Sequence, residues 1–373
     1  METGKMSMTR SLRLWHYFTR YIDSFLLFSI LLVMVVGLAT LYSATGGNLT
    51  RVTNQAVNMV AALVIMWLVA NIPLQHMMRL ALPIYVVGLI LLICVTLFGE
   101  INNGARRWLD IGVTRIQPSE LMKIAVPLMM AWYFDKHETT LRAQDYVVAT
   151  MLLFLPAVLI LRQPDLGTTL LIISSGFYVL FLAGLSWRIM IGLVIAGAGS
   201  LPLLWSMMHD YQKQRVMTLF DPAQDALGAG YHTIQSSIAI GSGGIIGKGW
   251  QNGTQTHLDF LPEKSTDFIF AVFSEEFGIV GNSLLLVLYL VIIGRGMVIA
   301  ANASTQFTRL IAGSITLTFF TYIFVNIGMV VGILPVVGVP LPLISYGGTS
   351  MVTMLLGFGI LMSIQMHPKL IKT

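Results

Sequence analysis

The sequence predicts an all-α polytopic membrane protein of about ten transmembrane helices in one domain, 1–373, and three observations carry that prediction. Only 10% of the 373 residues are charged, 22 Lys and Arg against 17 Asp and Glu, where a soluble protein carries about 25%. The mean hydropathy is +0.79. Apolar runs recur along the chain, most of them near the ~20 residues that cross ~30 Å of hydrocarbon. Together these exclude a soluble surface. Cys94 is the single cysteine, so an intramolecular disulfide and a cysteine-cluster metal site are excluded too.

The first run, 25–42, is longer than the apolar core of a secretory signal and reads as a retained helix. Further spans are predicted at 56–71, 79–98, 119–134, 145–161, 166–184, 188–208, 268–293, 308–330 and 349–365. The fourth is the weakest, because Glu120 and Lys123 occupy its first turn, and a re-entrant segment is the alternative. Ten spans put both termini on one side. That side collects the arm 1–22 with Lys5, Arg10, Arg13 and Arg20, the short connections with Arg79, Lys136, Arg142, Arg188, Arg295 and Arg309, and the tail 366–373 with Lys369 and Lys372. The bias of basic residues in short segments places it in the cytoplasm. The arm, with Leu12, Leu14, Trp15 and Phe18, either lies at the headgroup interface or is a plain positive-inside anchor.

The polar residues that interrupt this pattern are the candidate site. Arg106, Arg107 and Arg115 share the outer loop 99–118; they either pair with Glu100 and Asp110 or face an anionic ligand, and Trp108 beside them reads first as an interfacial anchor. Glu120 and Lys123, three apart, lie on one helix face and pair, as a structural lock or as part of a cavity site. Asp165, in Gln163-Pro164-Asp165-Leu166-Gly167, is foremost an N-cap.

The long break 209–266, between the seventh and eighth spans, reads as an external functional loop, with a short surface helix over 231–240. Gly241-Ser-Gly-Gly-Ile-Ile-Gly-Lys-Gly249 fails the phosphate-loop pattern and reads as a hinge. Asp267 stands at the mouth of the eighth span, either as an N-cap or as a general base whose ionised form the helix end favours. Glu275 and Glu276 lie two turns deeper and pair or line a wet cavity. Residues 331–348, with Pro335, Pro340 and Pro342, cannot be a continuous helix; they read as a re-entrant segment before the tenth span, ending in a Ser345 cap. Histidine metal-binding spacing, a nucleophile elbow and a dinucleotide fingerprint are absent.

Five segments, in order, are similar to the SEDS family (shape, elongation, division and sporulation): Gly104-Ala-Arg-Arg-Trp-Leu-Asp110, Gln117-Pro-Ser-Glu-Leu-Met-Lys-Ile-Ala125, Gln163-Pro-Asp-Leu-Gly-Thr168, Leu261-Pro-Glu-Lys-Ser-Thr-Asp-Phe-Ile-Phe-Ala271 and Gly338-Val-Pro-Leu-Pro-Leu-Ile-Ser-Tyr-Gly-Gly348. Residues 209–216 and 230–241 resemble the elongation member more than the division member. The resemblance spans essentially the whole chain. It implies a ten-helix glycosyltransferase that polymerises lipid II into peptidoglycan strands at the outer face of the cytoplasmic (inner) membrane. Partners implied are a class B penicillin-binding protein, the MreB, MreC and MreD elongation machinery and membrane lipids, with no nucleic acid.

By the same resemblance the essential aspartate falls on Asp267, and the outer-cavity residues on Arg107, Trp108, Glu120, Lys123 and Asp165. Arg106 stands where the family varies. A diphosphate leaving group needs a base for the acceptor hydroxyl, assigned to Asp267, and positive charge, assigned to Arg106, Arg107 and Lys123. A single displacement inverts the anomeric carbon. Glu120 is the candidate ligand of an optional divalent cation, Mg or Mn; pairing with Lys123 explains it equally, and no organic cofactor is expected. A lipid II flippase and a noncatalytic scaffold are the alternatives, the first disfavoured because most spans lack midplane charge.

Overall fold

The computed structural model describes residues 22–102, 105–110, 115–138, 141–207, 210–221, 229–257, 261 and 263–366. The basic arm through Tyr21 and the tail beyond Met366 lie outside the described residues, as does Asp259. Ten of the helices have 17 residues or more: α1 (Ser24–Ala44), α2 (Leu49–Ala70), α3 (Leu74–Phe98), α4 (Pro118–Lys136), α5 (Ala143–Leu161), α6 (Leu166–Leu182), α7 (Trp187–Met207), α11 (Ile269–Ala301), α12 (Gln306–Val330) and α13 (Gly348–Met366). Each of the ten predicted stretches falls on one of them. Between α7 and α11 lie α8 (Asp210–Phe220), α9 (Ala229–Gly243) and the single turn α10 (Thr254–His257), and α9 contains the short helix expected at 231–240.

The protein is a multi-pass membrane protein. Among the described residues, α1, α2, α3, α5, α11, α12 and α13 are long and apolar enough to cross a membrane. α6 is apolar but shorter, and α4 carries Glu120, Lys123, Asp135 and Lys136. Among the described residues, strand occurs only in the loop expected at 99–118. It holds an antiparallel meander of β1 (Glu100–Asn102), β2 (Ala105–Asp110) and β3 (Arg115–Ile116).

α12 is the most enclosed span and α2 the least. α12 packs against α4, α6, α11 and α13, and polar side chains fasten it where apolar packing has no water to escape from. Ser314 Oγ donates to Ser175 O at 2.7 Å, and Tyr178 and Thr321 share a 2.6 Å hydroxyl contact. Such bonds and close small-residue contacts hold helices together in lipid. The α2–α13 pair shows the second device: a β-carbon at Gly359 would stand 2.6 Å from Met66 O. Gly359→Val is therefore expected to force the two helices apart and destabilise the fold by about 1–3 kcal/mol, read as a lower unfolding temperature of the detergent-solubilised protein.

Two polar clusters mark one end of the bundle. Asp23 caps α1 by accepting from Leu26 N at 2.9 Å and receives Arg295 Nε at 2.9 Å from the far end of α11. Asp135, at the end of α4, accepts from Phe307 N at 3.0 Å in the first turn of α12. The candidate site residues all lie at the opposite end.

Residues 331–347 join α12 to α13 without helix, as their prolines require. Val339 and Leu341 to Ser345 are buried, and their backbone is satisfied by side chains reaching from helices. Tyr289 OH donates to Pro342 O at 2.7 Å, Asn326 Nδ2 to Val339 O at 2.7 Å and Gln55 Nε2 to Ser345 O at 3.1 Å. This is the condition for irregular backbone inside a membrane protein. Ser345 is not a helix cap. Its hydroxyl accepts from Leu341 N and donates to Thr266 O, both at 2.7 Å, binding this segment to the one before α11.

Candidate active site

Asp267 lies in the turn 263–268 that leads into α11. The N-cap position is Phe268, so Asp267 stands one residue ahead of the cap, half-buried. Its backbone carbonyl accepts from Asn326 Nδ2 at 2.8 Å. The same amide holds Val339 O, so one buried side chain on α12 ties the aspartate turn to the proline-rich segment. That segment then meets the carboxylate: Gly338 has φ +73°, and a β-carbon there would stand 3.4 Å from Asp267 Oδ2. Positive φ and this approach both favour glycine.

Asn326 is a tether that the sequence alone does not announce, although a lone amide at membrane depth is a usable signal. Asn326→Leu is expected to leave two buried carbonyls unpaired, at about 1–3 kcal/mol each. It should lower the unfolding temperature of the detergent-solubilised protein.

The other face of the proline-rich segment meets α6, where a β-carbon at Gly167 would stand 2.6 Å from Val337 O. Asp165 caps this helix, its Oδ1 accepting from Thr168 N at 3.1 Å, as its position after Pro164 led one to expect. Its Oδ2 lies 3.4 Å from Gln117 Nε2 and 3.8 Å from Arg107 Nε. Arg107 also donates through Nη2 to Pro164 O at 2.5 Å. Asp165 is thus buried against the helix end, Gln117 and Arg107, and the Arg107 side chain keeps 36% of its surface exposed. Trp108 is the next residue on β2, half-buried, and a register shift in the β1–β2 pairing falls between it and Arg106. The Arg106 side chain lies outside the described residues.

Glu120 and Lys123 pair as the spacing predicts, Nζ to Oε1 at 2.7 Å. Pro118 at the first helical position and Glu120 in the first turn suit the start of α4. Lys123 is buried, 5.2 Å from the Tyr322 ring centre, and borders a cavity of about 40 Å³ lined with Thr318, Phe319, Tyr322 and Phe358. The internal ion pair is observed, and of its two members Lys123 borders the cavity. Tyr322 lies one helical turn from Asn326, so α12 carries contacts from Lys123 to the Asp267 turn.

Of Glu275 and Glu276, expected to pair or to line a wet cavity, Glu275 pairs with Lys248. Both are buried; Glu275 receives Lys248 Nζ at 2.8 Å, and Glu276 accepts from Ser43 Oγ.

Asp267 therefore shares one end of a helical membrane bundle with a fixed, partly exposed guanidinium, and that class of molecule has relatives. The family model for the cell cycle proteins FtsW, RodA and SpoVE matches residues 18–370, and the chain belongs to this family. It is 50% identical over 352 residues to the peptidoglycan glycosyltransferase MrdB of Escherichia coli K12, covering 94% of this chain and 95% of MrdB. Its fold is similar to a chain solved in a study of how a peptidoglycan synthase complex coordinates polymerization and crosslinking, at 33% identity and TM-score 0.80, over 92% of this chain and 97% of that one. It is also similar to the Thermus thermophilus rod shape determining protein RodA, at 28% identity and TM-score 0.70, over 92% and 96% of the two chains.

Proposed function

We propose that the chain is an inverting peptidoglycan glycosyltransferase that polymerises lipid II at the outer face of the bacterial inner membrane, with both termini in the cytoplasm. The observation that carries this reading is that the proline-rich segment runs between the two groups: a β-carbon at Gly338 would reach to 3.4 Å from Asp267 Oδ2, while the flanking Val337 and Val339 pack on Gly167, two residues from Asp165. A single backbone turn separates the candidate base from the Arg107–Asp165 pair. The orientation follows from the basic residues of the short segments, which favour the end holding Asp23 and Arg295 as the inside.

In the proposed reaction the acceptor sugar hydroxyl attacks the anomeric carbon of the lipid-linked donor. Asp267 takes the hydroxyl proton as the new C–O bond forms. The bond to the undecaprenyl diphosphate oxygen breaks, and the departing anion carries away the electron pair. Arg107, held by Asp165 and Pro164 O, is preoriented for that charge, with Arg106 beside it in sequence. Lys123 adds a buried positive charge beneath them, tempered by Glu120. A diphosphate is a good enough leaving group to need no general acid, which is why one carboxylate suffices.

The residues do not by themselves make a divalent-cation site. Among the described residues no group of three His, Cys, Asp or Glu side chains converges. Glu120 offers only Oε2, its other oxygen being taken by Lys123, whereas Mg²⁺ demands about six oxygen ligands. No step here is routed through a metal.

A class B penicillin-binding protein as crosslinking partner is supported by the similarity to the synthase-complex chain. MreB, MreC and MreD and the surrounding lipids complete the proposed setting. The test is polymer formation from labelled lipid II by the purified chain with and without that partner. Polymer supports the reading. Headgroup transfer across protein-only vesicles without polymer would replace it with a flippase, and neither activity would replace it with a scaffold.

A further inference from the structure

The long helix α11 is interrupted. Gly278 takes φ 61° and ψ −160°, a conformation open to glycine and strained for other residues. Residues 269–277 are thereby a two-turn arm, separate from the apolar span beyond, with Asp267 just ahead of its first turn. Ile269 to Glu276 are all buried in protein, while Ile279, Val280, Leu284 and Val287 are exposed, as lipid-facing side chains are.

The interruption frees backbone groups that a membrane protein must satisfy, and the glycine-rich segment 243–249 satisfies them. Lys248 N and Gly249 N donate to Glu275 O and Glu276 O, and Ile279 N and Val280 N donate to Gly244 O and Ile245 O, all at 3.0 Å. The segment expected to be a hinge is a docked insert. Its side chains add a second fastening at the same place. Oε1 of the fully buried Glu275 receives Lys248 Nζ at 2.8 Å, Thr254 Oγ1 at 3.1 Å and Gln255 N at 3.1 Å.

We infer that Lys248 and Glu275 are positioning residues for Asp267, holding the far end of the arm that carries it; the inference rests on the glycosyltransferase reading above. The near end is fixed by Asn326 and Ser345 through the carbonyls of Asp267 and Thr266. One fastened end leaves a pivot, and a second sets the tilt. From Asp267 to Glu275 the arm spans roughly 12 Å at about 1.5 Å per residue. With the near end as pivot, a tilt of about 5° swings the Glu275 end by about 1 Å and turns the Asp267 carboxylate about its held carbonyl. Loss of alignment between reacting groups costs up to about 10²-fold in rate. Neither side chain belongs to the proposed chemistry, so the effect falls on turnover and leaves lipid II binding in place.

The experiment compares wild type, Lys248→Met, Lys248→Arg and Asp267→Asn as full chains with the crosslinking partner, measuring kcat, KM for labelled lipid II and the unfolding temperature in detergent. Lys248→Met is expected to lower kcat by about tenfold or more with KM and unfolding temperature close to wild type, and Lys248→Arg to recover most of the loss. Wild-type kcat in Lys248→Met overturns the inference. So does a fall in kcat that arginine does not rescue, or one that moves KM and unfolding temperature in parallel. Should Lys248→Met fail to fold, Thr254→Val removes one bond to the same carboxylate and no charge; a kcat fall of about threefold or more at unchanged KM supports the role, and an unchanged kcat overturns it. If Asp267→Asn polymerises like wild type, the glycosyltransferase site assignment is what fails.

Discussion

Asp267→Asn is expected to slow lipid II polymerisation by about 10²–10⁴-fold, the usual contribution of a positioned base. The replacement is nearly isosteric, and the interactions that place the residue survive it. The backbone carbonyl still meets Asn326 Nδ2, and Gly338 still leaves room for the side chain. What is lost is the capacity to take a proton from the acceptor hydroxyl. Folding and membrane insertion should therefore be unchanged, and lipid II should still bind. The measurement is the initial rate of glycan formation beside a binding curve. A wild-type rate would remove Asp267 from the base role, and loss of binding along with rate would make it a binding residue.

Arg107→Met is the second large effect, expected at about 10²–10³-fold in kcat, the range for removing a donor aimed at developing charge. Arg107→Lys should fall between, because it keeps the charge but loses the planar fork that reaches Pro164 O and faces Asp165 together. Asp165 remains as the cap of α6 in both variants, since its Oδ1 bond to Thr168 N does not involve Arg107. The effect is thus separable from helix stability. An Arg107→Met protein with wild-type turnover would leave the diphosphate charge to other residues.

The spans were legible because a bilayer permits few solutions, and an apolar run of the right length must close its own hydrogen bonds as a helix. The same constraint made the proline-rich run readable as non-helical and buried. Local rules also sufficed for the Glu120–Lys123 pair and the Asp165 cap, both set by contacts within four residues. The meander at 100–116 was missed, although Asn103-Gly104 in the sequence is a strong hairpin signal, because its strands are short. What local rules could not supply were partners far along the chain. Nothing near Gly241–Gly249 announces that its glycines dock into a break in α11, and nothing near Asn326 announces two carbonyls as its acceptors. Asp267 stands one residue ahead of the cap position, a shift finer than local rules resolve at a helix end.

The interruption at Gly278 has a mechanical consequence for work in membranes of unequal thickness. An unbroken helix of 33 residues would be about 50 Å long and would carry any change of hydrophobic mismatch, by rocking, straight to Asp267. The part beyond the glycine, residues 279–301, is about 34 Å long, close to the ~30 Å hydrocarbon layer. It can lean to suit the local lipid while the short arm, bolted to its neighbours, keeps its aim.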